Sequence, residues 1–331
     1  MSVLEVRDLT VDFAQRNGPK FRAVDHVSFE LQAGQTLALV GESGSGKSTV
    51  ARSLARLLTP TDGTILLNGA AAGRRGRRLR AYRRDVQMVF QDPFASLNPA
   101  FSVDHHLRRP LVIAGHRRAG LDEAVAALLR SVNLGPAGTV AKKYPHELSG
   151  GQRQRVAIAR ALGPDPAVLL ADEPVSMLDV SIRLEILNLL DALKRDRQLA
   201  LLYITHDLAT ARHFSTHIMV MYRGEIVEHG PADEVILRPA HPYTQLLSSA
   251  VPAPATSRRE LTDRRRARQQ AGRAEHNAER SEAVADTGCR FRRRCPAAMP
   301  VCSEHPPDFP AGPAHTARCW LRDPERAKEP A

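Results

Sequence analysis

Leu4, Val6, Leu9, Val11 and Phe13 roughly alternate with polar residues, which predicts an early half-buried strand. Residues 24–31 read as a second strand, and Gln32-Ala33-Gly34-Gln35 as the turn after it. The next five residues, 36–40, are an apolar run short enough for one strand buried on both faces. Val50, Leu54, Leu57 and Leu58 then fall at helical spacing. Asp62-Gly63 turns into a strand at 64–67, followed by Asn68-Gly69, and an arginine-rich segment leads to a strand at 86–90 that ends on Gln91. From 92 to 141 the period becomes helical, with Val125, Leu128, Leu129 and Val132 on one face. Apolar strands resume at 167–171 and 200–205 with a helix at 181–194 between them, and 218–222 with 225–228 suggest a closing hairpin around Arg223-Gly224. Strands alternating with helices predict an α/β fold: a largely parallel sheet flanked by helices, interrupted by a mostly helical insert.

Composition changes past Pro252. Residues 258–282 are polar and arginine-rich, almost without large apolar side chains, as a solvated helix or linker would be. The chain therefore divides into a main domain at 1–250, with a helical subdomain at about 92–162, a linker at 251–287 and a C-terminal segment at 288–331. The formal charge of +11 comes largely from arginine runs at 74–84 and in the tail. Such runs read as solvated faces, and nucleic acid is not the expected partner. No apolar stretch approaches a membrane span, the longest clear one being 199–204. Glu5, Asp8 and Asp12 stand where a signal peptide would be basic and then apolar, so a cytoplasmic protein is expected.

The densest chemistry lies at Gly41-Glu42-Ser43-Gly44-Ser45-Gly46-Lys47-Ser48-Thr49. A strand, a glycine-rich turn and a helix bring backbone N–H groups and a helix N-terminus onto one anion. In that setting Lys47 reaches the β- and γ-phosphates and Ser48 sits on Mg²⁺. The apolar run 168–171 ends in Asp172 and Glu173. In a phosphate-loop enzyme the first acid is on the Mg²⁺ side, and the second can orient and activate the attacking water. Ser149-Gly150-Gly151-Gln152 places small residues before a helix at 153–162, a second N–H cradle.

With Leu148-Ser149-Gly150-Gly151-Gln152 in place the chain resembles the nucleotide-binding subunits of ATP-binding-cassette (ABC) transporters, which share a P-loop NTPase core with a RecA-like sheet and a helical subdomain. The resemblance implies an ATPase in which Ser149, Gly150, Gly151 and Gln152 close over ATP held by a partner cassette. It assigns Gln91 to metal, water and the membrane subunits, His206 to the γ-phosphate, Asp179 to a loop crossing the dimer interface, and Phe13 to adenine, with Phe21 as the alternative. Met177 stands where the family more often has Ala. Residues 91–99, 171–180 and 238–247, the last including His241-Pro242-Tyr243-Thr244, are similar to the oligopeptide and dipeptide import branch. The implied partners are a second cassette (a paralogue or a second copy), two transmembrane permeases and, through the complex, an extracytoplasmic solute-binding protein. The implied location is the cytoplasmic face of the membrane. Relatives in the branch also serve nickel, glutathione or oligosaccharides. ABC ATPases of translation carry two cassettes in one chain, and those of DNA repair carry a long heptad insertion; both features are missing here.

All four cysteines, Cys289, Cys295, Cys302 and Cys319, fall in the C-terminal segment. Their spacing, C-x5-C-x6-C-x16-C, is wider than the tight pairs of most zinc ribbons. A segment this poor in apolar mass has a physical reason to fold on a metal, and four thiolates suit either Zn²⁺ or an iron–sulfur cluster. The resemblance favours [4Fe–4S], and the expectation is a small metal-bearing Cys-rich extension.

Overall fold

A computed structural model describes residues 2–14, 20–249 and 288–325. The linker expected at 251–287 lies outside the described residues. Two compact units divide at Ile226 and Val227.

The first unit begins with β1 (Ser2–Phe13), β2 (Phe21–Gln32), β3 (Thr36–Val40), α1 (Lys47–Leu54), β4 (Asp62–Leu67), β5 (Ala70–Ala71), α2 (Gly76–Asp85) and β6 (Val86–Val89). The helical insert follows: α3 (Pro93–Ser96), α4 (Val103–Ile113), α5 (Leu121–Ser131), α6 (Ala137–Lys142) and α7 (Gly150–Leu162). The chain returns through β7 (Val168–Asp172), α8 (Val180–Arg197), β8 (Ala200–Thr205), α9 (Leu208–Phe214) and β9 (His217–Tyr222). It enters β10 (Glu225–Pro231), within which the second unit starts.

Two sheets form the first unit. One is antiparallel, in the order β2-β1-β4-β5; the other is parallel, running β9-β3-β8-β7-β6. Every residue of β3, β7 and β8 is buried, as continuous apolar runs require. Leu4, Val6 and Val27 of the antiparallel sheet share one core with Leu39, Leu170 and Ile204 of the parallel sheet, and Val50, Ala51 and Leu54 place α1 in the same core. The expected parallel sheet with its helical insert is borne out. Because β3, β6, β7 and β8 are parallel, the loops after them emerge at one edge of the sheet, where an α/β fold binds ligands.

The second unit holds the rest of β10, α10 (Ala232–Leu237), α11 (Pro242–Ser249), β11 (Phe309–Gly312) and β12 (His315–Ala317). β12 pairs antiparallel with β10 and with β11. Phe291 packs beside His241 and Tyr243, with ring centroids 5.7 and 5.5 Å apart. Residues 288–325 thus fold together with 227–249 and not as a separate Cys-rich extension. The unit has its own polar centre. Glu228 is buried and accepts from Ala240 N, His241 N and His315 Nε2, each at 2.8 Å. Burial pushes the His241 imidazole down to about 4, against the pull of Glu228. Glu228→Ala strands three buried donors and should cost about 3 kcal/mol. Trp320 is the chain's one tryptophan and lies in this unit. Its fluorescence should report a lower denaturant midpoint; an unchanged midpoint would deny the cluster a stabilising role.

Candidate functional site

The loop from β3 to α1 needs glycine at two points. A Cβ on Gly41 would lie 2.2 Å from Met221 O, and one on Gly46 would lie 2.4 Å from Ala23 O, with Gly46 also at φ +110°. Ser43 and Gly44 are exposed at the tip of the loop, while Ser45 is buried. Lys47 opens α1, and its ammonium donates to Gly41 O at 2.8 Å, Glu42 O at 2.7 Å and Ser45 Oγ at 3.4 Å. Burial pushes its pKa down, while Glu173, Asp172 and Glu42 oppose the shift. Ser48 Oγ donates to Asp172 Oδ1 at 3.0 Å. Burial raises the Asp172 carboxyl, the Ser48 hydrogen bond counters it, and the Glu173 charge adds to the rise. Thr49 completes the first turn, and its carbonyl accepts from Ser53 Oγ.

Glu173 follows β7 with a left-handed backbone, φ +45°, a conformation that costs a non-glycine residue about 1–2 kcal/mol. Its N–H donates to Ile204 O at 3.0 Å, which fixes the turn to β8. The carboxylate then meets groups from two other strand ends. Gln91 Nε2, after β6, donates to Oε2 at 3.1 Å. His206 Nδ1, after β8, lies 3.2 Å from Oε1. Lys47, Ser48, Asp172, Glu173, Gln91 and His206 therefore gather at one sheet edge around the phosphate loop.

Ser149, Gly150, Gly151, Gln152 and Asp179 stand apart from that cluster. Ser149 caps α7: its Oγ accepts from Gln152 N at 3.3 Å, and Gln152 Oε1 accepts from Ser149 N at 3.1 Å. A Cβ on Gly151 would come 2.7 Å from Ile182 Cγ2, so α7 begins hard against α8. Asp179 is the N-cap residue of α8. Among the described residues none of these five hydrogen-bonds to the Lys47–Glu173 cluster. Phe13 sits opposite Phe21 in the β1–β2 register, and both rings are exposed.

The ABC transporter family matches residues 24–176, and the oligopeptide/dipeptide transporter C-terminal region matches residues 227–302. A probable peptide ABC transporter ATP-binding protein of Sinorhizobium fredii is 42% identical, covering 98% of this chain and 92% of its own length. The chain belongs to the ABC transporter ATP-binding subunits, in the oligopeptide/dipeptide branch. An oligopeptide transport ATP-binding protein of Escherichia coli is 40% identical, with 97% of each chain covered. A dimeric ATP-binding cassette solved in a post-hydrolysis state with ADP and Pi superposes with a TM-score of 0.62 at 27% identity, over 69% of this chain and 98% of that one. As a member of this family the ATP-binding subunit hydrolyses ATP.

The metal expected at the cysteines is overturned. Among the described residues no group of three or more His, Cys, Asp or Glu side chains is placed to hold a metal ion. Cys289, Cys295, Cys302 and Cys319 are free thiols, with Cys302 and Cys319 buried. Burial raises the thiol pKa of Cys289, Cys295 and Cys319, the last to about 11. The spacing argument missed that Phe291 and β12 give the segment apolar packing and strand pairing of its own.

Sequence reasoning also passed over what steers His206. Thr205 Oγ1 accepts from Asp207 N at 3.1 Å, and Asp207 caps α9 by accepting from Ala209 N at 2.9 Å. An N-cap Asp followed by Leu208, Ala211 and Phe214 is a legible helix start.

Proposed function

We propose that this subunit powers import of peptides through partner membrane permeases, working as one of two head-to-tail cassettes at the cytoplasmic face of the membrane. The carrying observation is the division of the site. Lys47, Ser48, Gln91, Asp172, Glu173 and His206 form half of an ATP site, while Ser149, Gly151 and Asp179 make no hydrogen bond to it among the described residues. Two copies, or this chain and a paralogue, supply each other's missing half. Phe13 stacks on adenine, with Phe21 beside it, and the N–H groups of residues 41–49 cradle the phosphates. Ser48, Gln91 and Asp172 suit Mg²⁺, an oxygen-seeking ion that binds through one or two carboxylates and the substrate's own phosphates. The bound ion would neutralise phosphate charge.

Glu173 orients the attacking water and takes its proton, and Gln91 and His206 hold that carboxylate in place. Lys47 carries the counter-charge for the β- and γ-phosphates. Closure on ATP and reopening after hydrolysis can drive a permease only through different affinities of ATP for the two states.

The permease has a fitting place to dock. A groove of about 560 Å³ lies between the parallel-sheet core and the helical insert, rimmed by Leu57, Phe90, Phe101 and Ile113. Ile113 is 71% exposed, and Gln91 follows Phe90 directly. Gln91→Ala should leave ATP affinity within about threefold while removing most of the stimulation of hydrolysis by solute in the assembled transporter. Equal stimulation in variant and wild type would end the coupling role. The test of the whole reading is gentle solubilisation of membranes followed by copurification. Two multi-span proteins and a second cassette support it; ribosomes or DNA-processing factors sink it.

A further inference from the structure

Residues 74–84 carry seven arginines, and the next acidic side chain is Asp85. α2 folds from this run with one buried residue, Tyr82, whose hydroxyl donates to Leu54 O at 2.7 Å. Arg83 donates to Arg56 O at 2.6 Å, and Arg84 pairs with Asp85 at 2.9 Å. Arg74, Arg75, Arg77, Arg78 and Arg80 are exposed, and their side chains make no hydrogen bond or ion pair among the described residues. At helical spacing Arg77, Arg80 and Arg84 share the face turned away from Tyr82. Like charges so close repel one another, so the surface gains from a polyanionic partner.

The fold says which polyanion. Tyr82 and Arg83 tie α2 to the C-terminal end of α1, whereas Lys47 begins α1. Eight helical residues separate those ends by about 12 Å, so α2 does not serve the phosphates of its own chain's ATP. Ala55, Leu57 and Arg83, at the α2 end, line the groove assigned above to the permease. A surface that flanks a permease groove faces the bilayer around the permease. Clusters of four to eight basic side chains at that position suit anionic lipid.

We propose that the exposed arginines at 74–80, which lead into α2 and form its first turns, are a membrane-contact surface for anionic phospholipid headgroups, an inference that rests on the permease-docking reading. It holds the subunit near the bilayer plane and orients the groove before any permease is engaged.

The test is co-sedimentation of the full chain with vesicles of phosphatidylglycerol and phosphatidylcholine, against phosphatidylcholine alone. Wild type should bind only the anionic vesicles, more weakly as salt rises. A variant with Arg74, Arg75, Arg77, Arg78 and Arg80 replaced by Gln should bind roughly 3,000-fold more weakly, since each of the five basic side chains removed is worth about fivefold near an anionic surface. A charge-matched control with Arg258, Arg259, Arg264, Arg265 and Arg266 replaced by Gln should keep most of the binding. Inorganic phosphate at constant ionic strength should not displace the protein. Equal loss in both variants, retained binding in the α2 variant, displacement by phosphate, or tighter α2-dependent binding to a DNA or RNA duplex would each overturn the proposal. Basal ATP hydrolysis should be unchanged in the α2 variant. Failure to bind vesicles with hydrolysis and permease copurification intact would count against the arginine surface alone; loss of copurification in wild type would count against the proposed function.

Discussion

Glu173→Gln should bind ATP as wild type does and hydrolyse it about 1,000-fold more slowly, within the span a positioned general base contributes. The amide keeps the shape of the carboxylate. Its oxygen can still accept the Gln91 hydrogen bond that spans 3.1 Å in the native site, so the strand ends keep their arrangement. The backbone requirement is unchanged as well, because Gln meets the same left-handed φ of +45°. What disappears is the group that can take a proton from water and carry negative charge beside His206. Bound ATP should then persist, and the closed pair of cassettes should accumulate. Phosphate release in the steady state measures the first effect, and ATP retained through gel filtration measures the second. Turnover within fivefold of wild type would remove Glu173 from the role of base.

The parts legible in the sequence were those in which local pattern and tertiary need coincide. β3, β7 and β8 are buried along their whole length and mostly apolar because both faces are covered, so their runs stand out against polar loops. The phosphate loop is legible because only glycine fits beside Met221 O and Ala23 O. α2 was not legible as a helix. It buries Tyr82 alone and so has no apolar stripe for periodicity to find. The polar cluster around Glu228 was hidden for another reason: its donors come from residues 240, 241 and 315, which only the β10–β12 pairing unites. At the cysteines, composition misled. The segment looks too poor in apolar residues to fold, yet Phe291 is 1% exposed and packs on Tyr243.

Lys47→Ala should separate binding from folding more sharply than any other substitution in the site. The Lys47 ammonium is buried and its positive charge is disfavoured, which depresses its pKa. A lysine whose folded pKa is lowered contributes a cost below that pKa, and the cost fades as pH rises toward the unfolded value of 10.5. Removing the charge therefore relieves the empty protein near neutral pH, although the carbonyls of Gly41 and Glu42 lose a donor. The thermal midpoint without nucleotide should stay level or rise. ATP binding should move the other way. Loss of the main counter-charge to the β- and γ-phosphates should cost about 3 kcal/mol, or roughly 100-fold in Kd. At an ATP concentration 100 times the wild-type Kd, ligand stabilisation should fall from about 2.7 to about 0.4 kcal/mol. Thermal melts with and without ATP and Mg²⁺ read both quantities in one experiment. An ATP-induced shift as large in Lys47→Ala as in wild type would take Lys47 out of the phosphate site.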